Sequence, residues 1–490
     1  MMDMNLKTYC NPLPIPDLPK GEDNGWAAMA YTGEPKSDYR SIADPSVLFY
    51  DHKWYLYPSY GMAFVSEDFV TWRHERIEPY NLKYSPAVVP WKGRFLMTGH
   101  SNGLYISDSP LGPFDYMGDF ILPDGTSLKP TDPALFADED GRVYLYYFSA
   151  LQTDDKYVFI SQTLGVELKA DDPRVFKTEP IVLCALNTEN EWERFGEHHE
   201  NTRFGWLEGQ WMYKHGGRYY LICSSPGTSF STYCMCAYYS DEGPLGHFIL
   251  QKNNPITQHR CGIVRGAGHG CIVDGPESTI WAFYTCTLCY THCFERRIGM
   301  DLIGVNEDGE LFCPGITETP QYGPGVISEP LKGNDAGLLP LTFRRRAHIR
   351  ASSFVDGRNP LYAFDDSLLT WWQPAEGDTE RWIDVNLEAP YVIAASRLIW
   401  RDVGLDYAHA ALPGPYQYII KGQKPESDEW VTLLDMSHNV EDHNIDYRRF
   451  SPGNYMKIRL QITGAPKGIT PGVISFTVFG TRSGVSKTTV

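Results

Sequence analysis

Short apolar runs rich in aromatic and β-branched residues follow one another along the chain, separated by clusters of Gly, Pro, Asn and Asp. That punctuation predicts many short strands. Long stretches of helical 3.6 periodicity are rare, so the expected fold is all-β. Five segments repeat one design, opening at Asp44 (DPSVLFYDHKWYLYPS), Ser85 (SPAVVPWKGRFLMTGH), Asp132 (DPALFADEDGRVYLYYFS), Glu208 (EGQWMYKHGGRYYLICSS) and His269 (HGCIVDGPESTIWAFYT). In each, a polar residue precedes an apolar strand, a turn and an aromatic strand, which is the pattern of a hairpin. Further strand-like text follows, as in GMAFVSEDFVTWRH from Gly61 and GLYISDSPLGPFDYMG from Gly103, so the unit has about four strands. The openings lie 41, 47, 76 and 61 residues apart, the long gap carrying an insertion near 171–203. Four-stranded units at this spacing predict propeller blades, and five of them fit residues 1–325. Pro and Gly are dense from Thr317 to Pro340, which predicts a linker at 326–340. Beyond it, RWIDVNL, ASRLIW and YMKIRLQIT lack the five-fold pattern and predict a separate β-sandwich over 341–490.

Charge and composition narrow the function classes. Lys and Arg number 43 against 61 Asp and Glu, a net charge of −18, which argues against a phosphate-tracking nucleic-acid binder. Nowhere do 18 apolar residues run together, so no helical membrane span is expected. The first ten residues, MMDMNLKTYC, lack a basic start followed by an apolar stretch, so no secretory signal is read there. Eleven cysteines fit free thiols in a reducing cytoplasm better than a disulfide framework. Cytoplasmic location is the expectation, and the sequence sets no oligomeric state. Cys286, Cys289, His292 and Cys293 have soft-ligand chemistry, but all fall in one short stretch, so buried thiols are expected rather than zinc.

The first strand of a propeller blade lines the central channel. The five opening residues, Asp44, Ser85, Asp132, Glu208 and His269, are therefore expected to meet at one end of the axis. A lone Asp-Pro is usually a turn starter, and a lone His is usually hydrogen-bonded in the core. Three carboxylates and a His in matching register are harder to explain as structure, because desolvation and mutual repulsion both oppose gathering them. Glycosidic hydrolysis needs such a set: one carboxyl protonated near neutral pH, another ionised, and a third to tune the acid by its charge.

These motifs carry a resemblance. ADPSV from Ala43, TDPAL from Thr131 and WLEGQWMYK from Trp206 resemble the three motifs of glycoside hydrolase family 43, a family of five-bladed, inverting enzymes. The resemblance implies Asp44 as general base, Asp132 as the residue that tunes and orients, and Glu208 as general acid. It implies that His269, in GAGHG, sits at the channel centre and contacts a structural calcium directly or through water. It implies that Arg296, five residues before Asp301, binds substrate, and that the chemistry needs no cofactor. Glu208 is followed by Gly-Gln where the family often has Gly-Pro. The implied activity is exo-hydrolysis of arabinose- or xylose-containing plant oligosaccharides, as an α-L-arabinofuranosidase, a β-xylosidase or both. β-Galactosidic hydrolysis and a non-catalytic carbohydrate-binding propeller are the alternatives. A retaining, fructan-acting propeller would carry an Asn-Asp-Pro-Asn-Gly start and a Glu-Cys acid motif, and neither stands here. In the second region, AFDDSLLTWWQ from Ala363 and RWIDVNLEAPYVIAASRLIW from Arg381 resemble discoidin-like jelly-roll domains of the coagulation-factor C and carbohydrate-binding family 32 type. That resemblance implies either a sugar-binding module or one that braces the propeller.

Overall fold

The computed structural model describes residues 6–17, 39–78, 82–152, 159–288, 291–324, 333–343 and 348–483. Five four-stranded antiparallel sheets succeed one another along the chain. Blade I is Ser46–Tyr50, Lys53–Tyr57, Met62–Ser66 and Arg73–Arg76. Blade II is Ala87–Trp91, Arg94–Thr98, Leu104–Ser107 and Asp115–Gly118. Blade III is Thr131–Ala137, Val143–Gln152, Phe159–Glu167 and Ile181–Ala185. Blade IV is Glu208–His215, Arg218–Ser225, Cys234–Ser240 and Ile249–Leu250. Blade V is Gly268–Asp274, Ile280–Thr287, Arg296–Val305 and Leu311–Phe312. The first strands of blades I to V touch in order, and the fifth returns to the first. They form a closed ring around the axis, as the repeat predicts.

Turn chemistry explains the hairpins. Asp51–His52, Lys92–Gly93 and Gly216–Gly217 each join two strands with both residues at positive φ, the geometry that matches the right-handed twist of paired strands. The insertion at 171–203 is not all loop. It supplies the outer strand of blade III and most of a ribbon pairing Arg194–Phe195 with Asn201–Gly205. The N-terminal segment closes the propeller, with Thr8–Tyr9 pairing with Gln321–Tyr322. Asn11 fixes this segment to blade V by donating to the Met300 carbonyl (2.9 Å) and accepting from the Met300 N–H (3.0 Å).

The C-terminal part is a seven-stranded sheet whose bent strands are consistent with a β-sandwich. WIDVNL and ASRLIW lie on a single strand, Trp382–Val403. A register shift between Asn386 and Tyr391 interrupts its pairing with Ile445–Gly464, and such bulges bend a strand. Of the predicted linker, 326–332 lie outside the described residues, while Leu339–Pro340 pairs with Phe479–Gly480 of the C-terminal sheet.

The sandwich is not detached from the propeller. One apolar cluster runs from Tyr9, Leu13, Trp281 and Phe283 to Trp372, Trp400 and Leu405. A second joins Ile263 and Leu288 to Leu368, Ile399 and Ile474, with Trp371 packed against it. Trp372 is fully buried, as strand alternation requires of one of the two neighbouring tryptophans.

Candidate active site

At the start of each first strand the backbone takes positive φ: 53° at Asp44, 51° at Ser85, 45° at Asp132, 60° at Gly209 and 36° at His269. In blades III, IV and V this point is a bulge, where the register slips by one residue. The structure therefore corrects the sequence register in one blade. The residue equivalent to the two aspartates in blade IV is Gly209, and Glu208 stands one position earlier. A bulge re-aims side chains at an active site. Glycine is required there on two counts, its φ and the His269 ring, whose Cγ would lie 2.8 Å from a Cβ at position 209.

His269 is the hub. Its Nδ1 lies 3.4 Å from Asp44 Oδ1 and its Nε2 lies 3.1 Å from Ser85 Oγ. The Ser85 hydroxyl is also 3.2 Å from Asp132 Oδ1, which His100 Nδ1 meets at 3.0 Å. Thr285 Oγ1 donates to the His269 carbonyl (3.1 Å), and the His269 N–H donates to Ser224 Oγ (2.8 Å). The opening residues of blades I, II, III and V thus form one polar network, as the propeller geometry predicts.

Each carboxylate has a different setting. Asp44 is buried; it accepts from Ser59 Oγ (2.6 Å) and from Arg296 Nη1 (3.0 Å). Burial pushes the Asp132 carboxyl up, but the hydrogen bond from His100 and the charges of His269 and His100 outweigh it, and Asp132 sits below the usual range. Glu208 goes the other way. Burial first, and the negative charge of Asp132 second, push it up to about 6. Its oxygens accept from Tyr233 OH (2.8 Å) and Trp206 Nε1 (2.5 Å). The set holds one carboxyl poised to give a proton near neutral pH and another pinned by an arginine.

Arg296 is nearly as buried as Asp44. Among the described residues its Nη2 has no hydrogen-bond partner, and its guanidinium lies 5.1 Å from the Phe294 ring centroid. Asp301, which helped to mark Arg296 in the sequence, stands elsewhere. It accepts from Asn11, Tyr284 and Thr317 at the propeller closure, and burial raises it to about 7. Aromatic rings flank the carboxylates. Tyr84 meets His100 at 5.5 Å and Phe294 at 6.1 Å between ring centroids, and Trp206 stacks on Phe148 at 4.8 Å.

Several of these side chains were not singled out by sequence. His100 closes the quoted segment GRFLMTGH and Trp206 opens the quoted WLEGQ, so both were adjacent to a motif. Gln210 is the departure from Gly-Pro, and its amide N–H donates to the Asp132 carbonyl, linking blades III and IV. Ser59 and Tyr233 carry no local signal, because their partners are 15 and 25 residues away in sequence.

A calcium site would need six to eight oxygen ligands. His269 offers ring nitrogens already facing Asp44 and Ser85, and among the described residues no group of three or more His, Cys, Asp or Glu is arranged to hold a metal. These side chains do not by themselves supply a calcium cage. Of the cysteine cluster, Cys286 is a fully buried thiol, and Cys289 lies outside the described residues.

Comparison with known proteins agrees with the geometry. The chain matches the model of glycosyl hydrolases family 43 over residues 36–311. It is 24% identical over 317 residues to a xylosidase/arabinosidase of Bacteroides ovatus, covering 51% of this chain and 92% of that protein. It is also 24% identical over 313 residues to the β-D-galactofuranosidase xynD of Aspergillus niger, covering 56% of this chain and 83% of the relative. The fold matches the crystal structure of a thermostable family-43 glycoside hydrolase with a TM-score of 0.50 at 24% identity, covering 65% of this chain and all of that one. The matched segment spans more than half of the chain and takes in the five blades with Asp44, Asp132 and Glu208, so the protein belongs to glycosyl hydrolase family 43 and is a glycoside hydrolase.

Proposed function

We propose that the protein removes terminal arabinofuranosyl or xylosyl units from plant oligosaccharides with inversion, using Glu208 as general acid and Asp44 as general base. The observation that carries this reading is the inequality of the carboxyls. Glu208 is pushed up to about 6, so at pH 7 it keeps its proton about thirtyfold more often than an ordinary glutamate does. Asp44 accepts from Arg296, a partner that stays charged at all working pH values. In the reaction, Glu208 gives its proton to the leaving glycosidic oxygen as the bond from the anomeric carbon breaks. A water on the opposite face attacks that carbon and passes a proton to Asp44. Asp132 touches neither proton in this scheme. Its charge keeps Glu208 protonated, and its hydrogen bonds orient Ser85 and His100. Arg296 holds Asp44 and contributes a hydrogen bond to a sugar hydroxyl. Tyr84, Phe294 and Trp206 offer apolar faces for sugar rings. No cofactor takes part.

The names of the relatives support the sugar assignment. Two carry xylosidase/arabinosidase and one carries galactofuranosidase. Residues 1–325 are taken as the catalytic propeller and 341–490 as a discoidin-like brace. Bracing is favoured over sugar binding because Trp372 and Trp400 are fully buried and the half-buried Trp371, Trp382 and Trp430 each have a guanidinium over the ring. Arg358 lies 3.3 Å over Trp371, and Arg459 lies 4.2 Å over Trp382 and 4.5 Å over Trp430. A panel of 4-nitrophenyl glycosides tests the assignment. Release from the α-L-arabinofuranoside or the β-D-xyloside supports it. Release from a β-D-galactofuranoside or β-D-galactoside alone moves the specificity, and binding without release from any of them makes the propeller non-catalytic.

A further inference from the structure

Two stretches of chain hold the proposed base: residues 40–44, which end in Asp44, and the start of the third strand of blade V, which carries Arg296. They are joined where the Ile42 N–H donates to the Arg296 carbonyl (3.0 Å). Arg296 also reaches Ser41 Oγ through Nε (3.5 Å). The next residue, Arg297, is buried and points away from the mouth toward the sandwich. Its Nη1 donates to both the Arg40 carbonyl (3.1 Å) and the Arg296 carbonyl (2.7 Å). One guanidinium group therefore staples the two stretches together directly behind the Asp44–Arg296 pair.

What holds Arg297 comes from the other end of the chain. Its Nη2 donates to Asn444 Oδ1 at 2.6 Å. Asn444 is itself fixed: its Nδ2 donates to the Trp400 carbonyl and its own carbonyl accepts from the Trp400 N–H, both at 3.0 Å. It is completely buried. Around it, Arg40 makes a bidentate pair with Asp402 (2.8 and 2.9 Å) and reaches Asp442 (2.8 Å) and Asp17 (2.5 Å). Asp402, Asp442 and Asn444 all belong to the sandwich. Arg40 is paired with three carboxylates, and the Arg297 guanidinium has three hydrogen bonds, of which only the one to Asn444 comes from the sandwich. Losing a partner of a buried cation is strongly unfavourable, so both side chains are held while the sandwich is seated.

We infer that Asn444 of the sandwich is a positioning residue for the reaction, setting Arg296 against Asp44 through Arg297. The active site is thus completed across the domain boundary, although no sandwich side chain is needed at the reacting atoms. This rests on the reading of Asp44 and Arg296 given under the proposed function. Its physical basis is distance tolerance: displacing a catalytic group by about 1 Å costs up to about 100-fold in rate.

The test uses the full chain and the aryl glycoside that the wild-type protein cleaves best. Asn444→Leu keeps the volume and removes the acceptor, and Asn444→Asp keeps an acceptor oxygen for Arg297. Each is made alone and with Arg296→Lys, and folding is checked by a cooperative thermal transition. With Arg296 present, Asn444→Leu is expected to lose about tenfold in kcat/KM and Asn444→Asp to recover most of it. With Arg296→Lys, the two variants are expected to be equal, because the guanidinium that Asn444 sets against Asp44 through Arg297 is gone. If Asn444→Leu does not fold, Asn444→Ser, which shortens the reach, takes its place. Equal activity of the Leu (or Ser) and Asp variants beside Arg296, or a ratio that persists in the Arg296→Lys background, overturns the inference. A wild-type protein inactive on the whole panel instead overturns the functional reading beneath it.

Discussion

Glu208→Gln removes the acid while keeping an acceptor for Trp206 and Tyr233, and the size of its effect follows from where the carboxyl titrates. A glutamate at its ordinary value of 4.5 is almost fully ionised at neutral pH, whereas Glu208 is raised to about 6. The protonated fraction at pH 7 rises from roughly 0.3% to roughly 9%, a gain of about thirtyfold worth about 2 kcal/mol of readiness. In the wild-type protein, kcat/KM on a substrate with a poor leaving group should fall about tenfold for each pH step above 6, since that parameter reports the free enzyme's acid. Glu208→Gln should cost about 10²–10⁴-fold on that substrate and erase the alkaline limb, yet cost far less on a 2,4-dinitrophenyl glycoside, which needs little proton donation. Asp132→Asn should move the wild-type limb to lower pH, because it removes the second-largest cause of the upward push. The assay is a pH series of initial rates on both substrates for the three proteins. An alkaline limb that survives in Glu208→Gln, or an equal loss on both leaving groups, would falsify the role of Glu208 as the acid.

Gly209→Ala places a Cβ 2.8 Å from His269 Cγ at φ +60°; it should lower stability by about 1–3 kcal/mol and reduce kcat, and an unchanged melting temperature would contradict the bulge geometry. Asp442, Asp301 and Glu193 are each raised to about 7, chiefly by burial, so the folded state holds protons the unfolded chain releases near pH 4. Their contribution is full below that pH and is lost as pH rises through 7, at up to about 1.4 kcal/mol per pH unit for each group. The melting temperature should therefore fall from pH 5 to pH 7, less steeply in Asp442→Asn; the same slope in both proteins would contradict this. A chain ended at residue 325 loses Asp402 and Asp442 from Arg40 and uncovers Trp281 and Phe283. It should lose its cooperative transition and aggregate, and a soluble, fully active fragment would show that the propeller stands alone.

Much of the propeller was legible because a blade is a local object. The hairpin of each unit is written within about 18 residues by alternation and turn residues, and repetition fixed the ring. The general positions of Asp44, Ser85, Asp132 and His269 followed from that repetition. The exception is Glu208, where the repeat placed the polar residue and the backbone placed Gly209. A bulge shifts register by one without a signature beyond glycine itself, and the steric reason, the His269 ring, comes from another blade. Ser59 and Tyr233 were illegible for the same cause: each partners a carboxylate that is distant along the chain. The C-terminal part is a sheet of its own, as its lack of the five-fold pattern predicts, but its packing against the propeller was not legible. Pro and Gly mark where regular structure pauses, but they carry no information about whether the flanking parts pack together, and Arg40, Arg297 and Asn444 meet only in three dimensions.

Proton NMR of the first sugar released addresses the central claim most directly. Asp44 as base and Glu208 as acid require water to enter from the face opposite the leaving group in a single displacement. Spectra taken within the first minutes, before the free sugar mutarotates, should show the anomeric proton of the product in the configuration opposite to that of the substrate glycoside. A first-formed product that retains the substrate's configuration would mean a covalent intermediate on an enzyme carboxylate, and would contradict the assignment of Asp44.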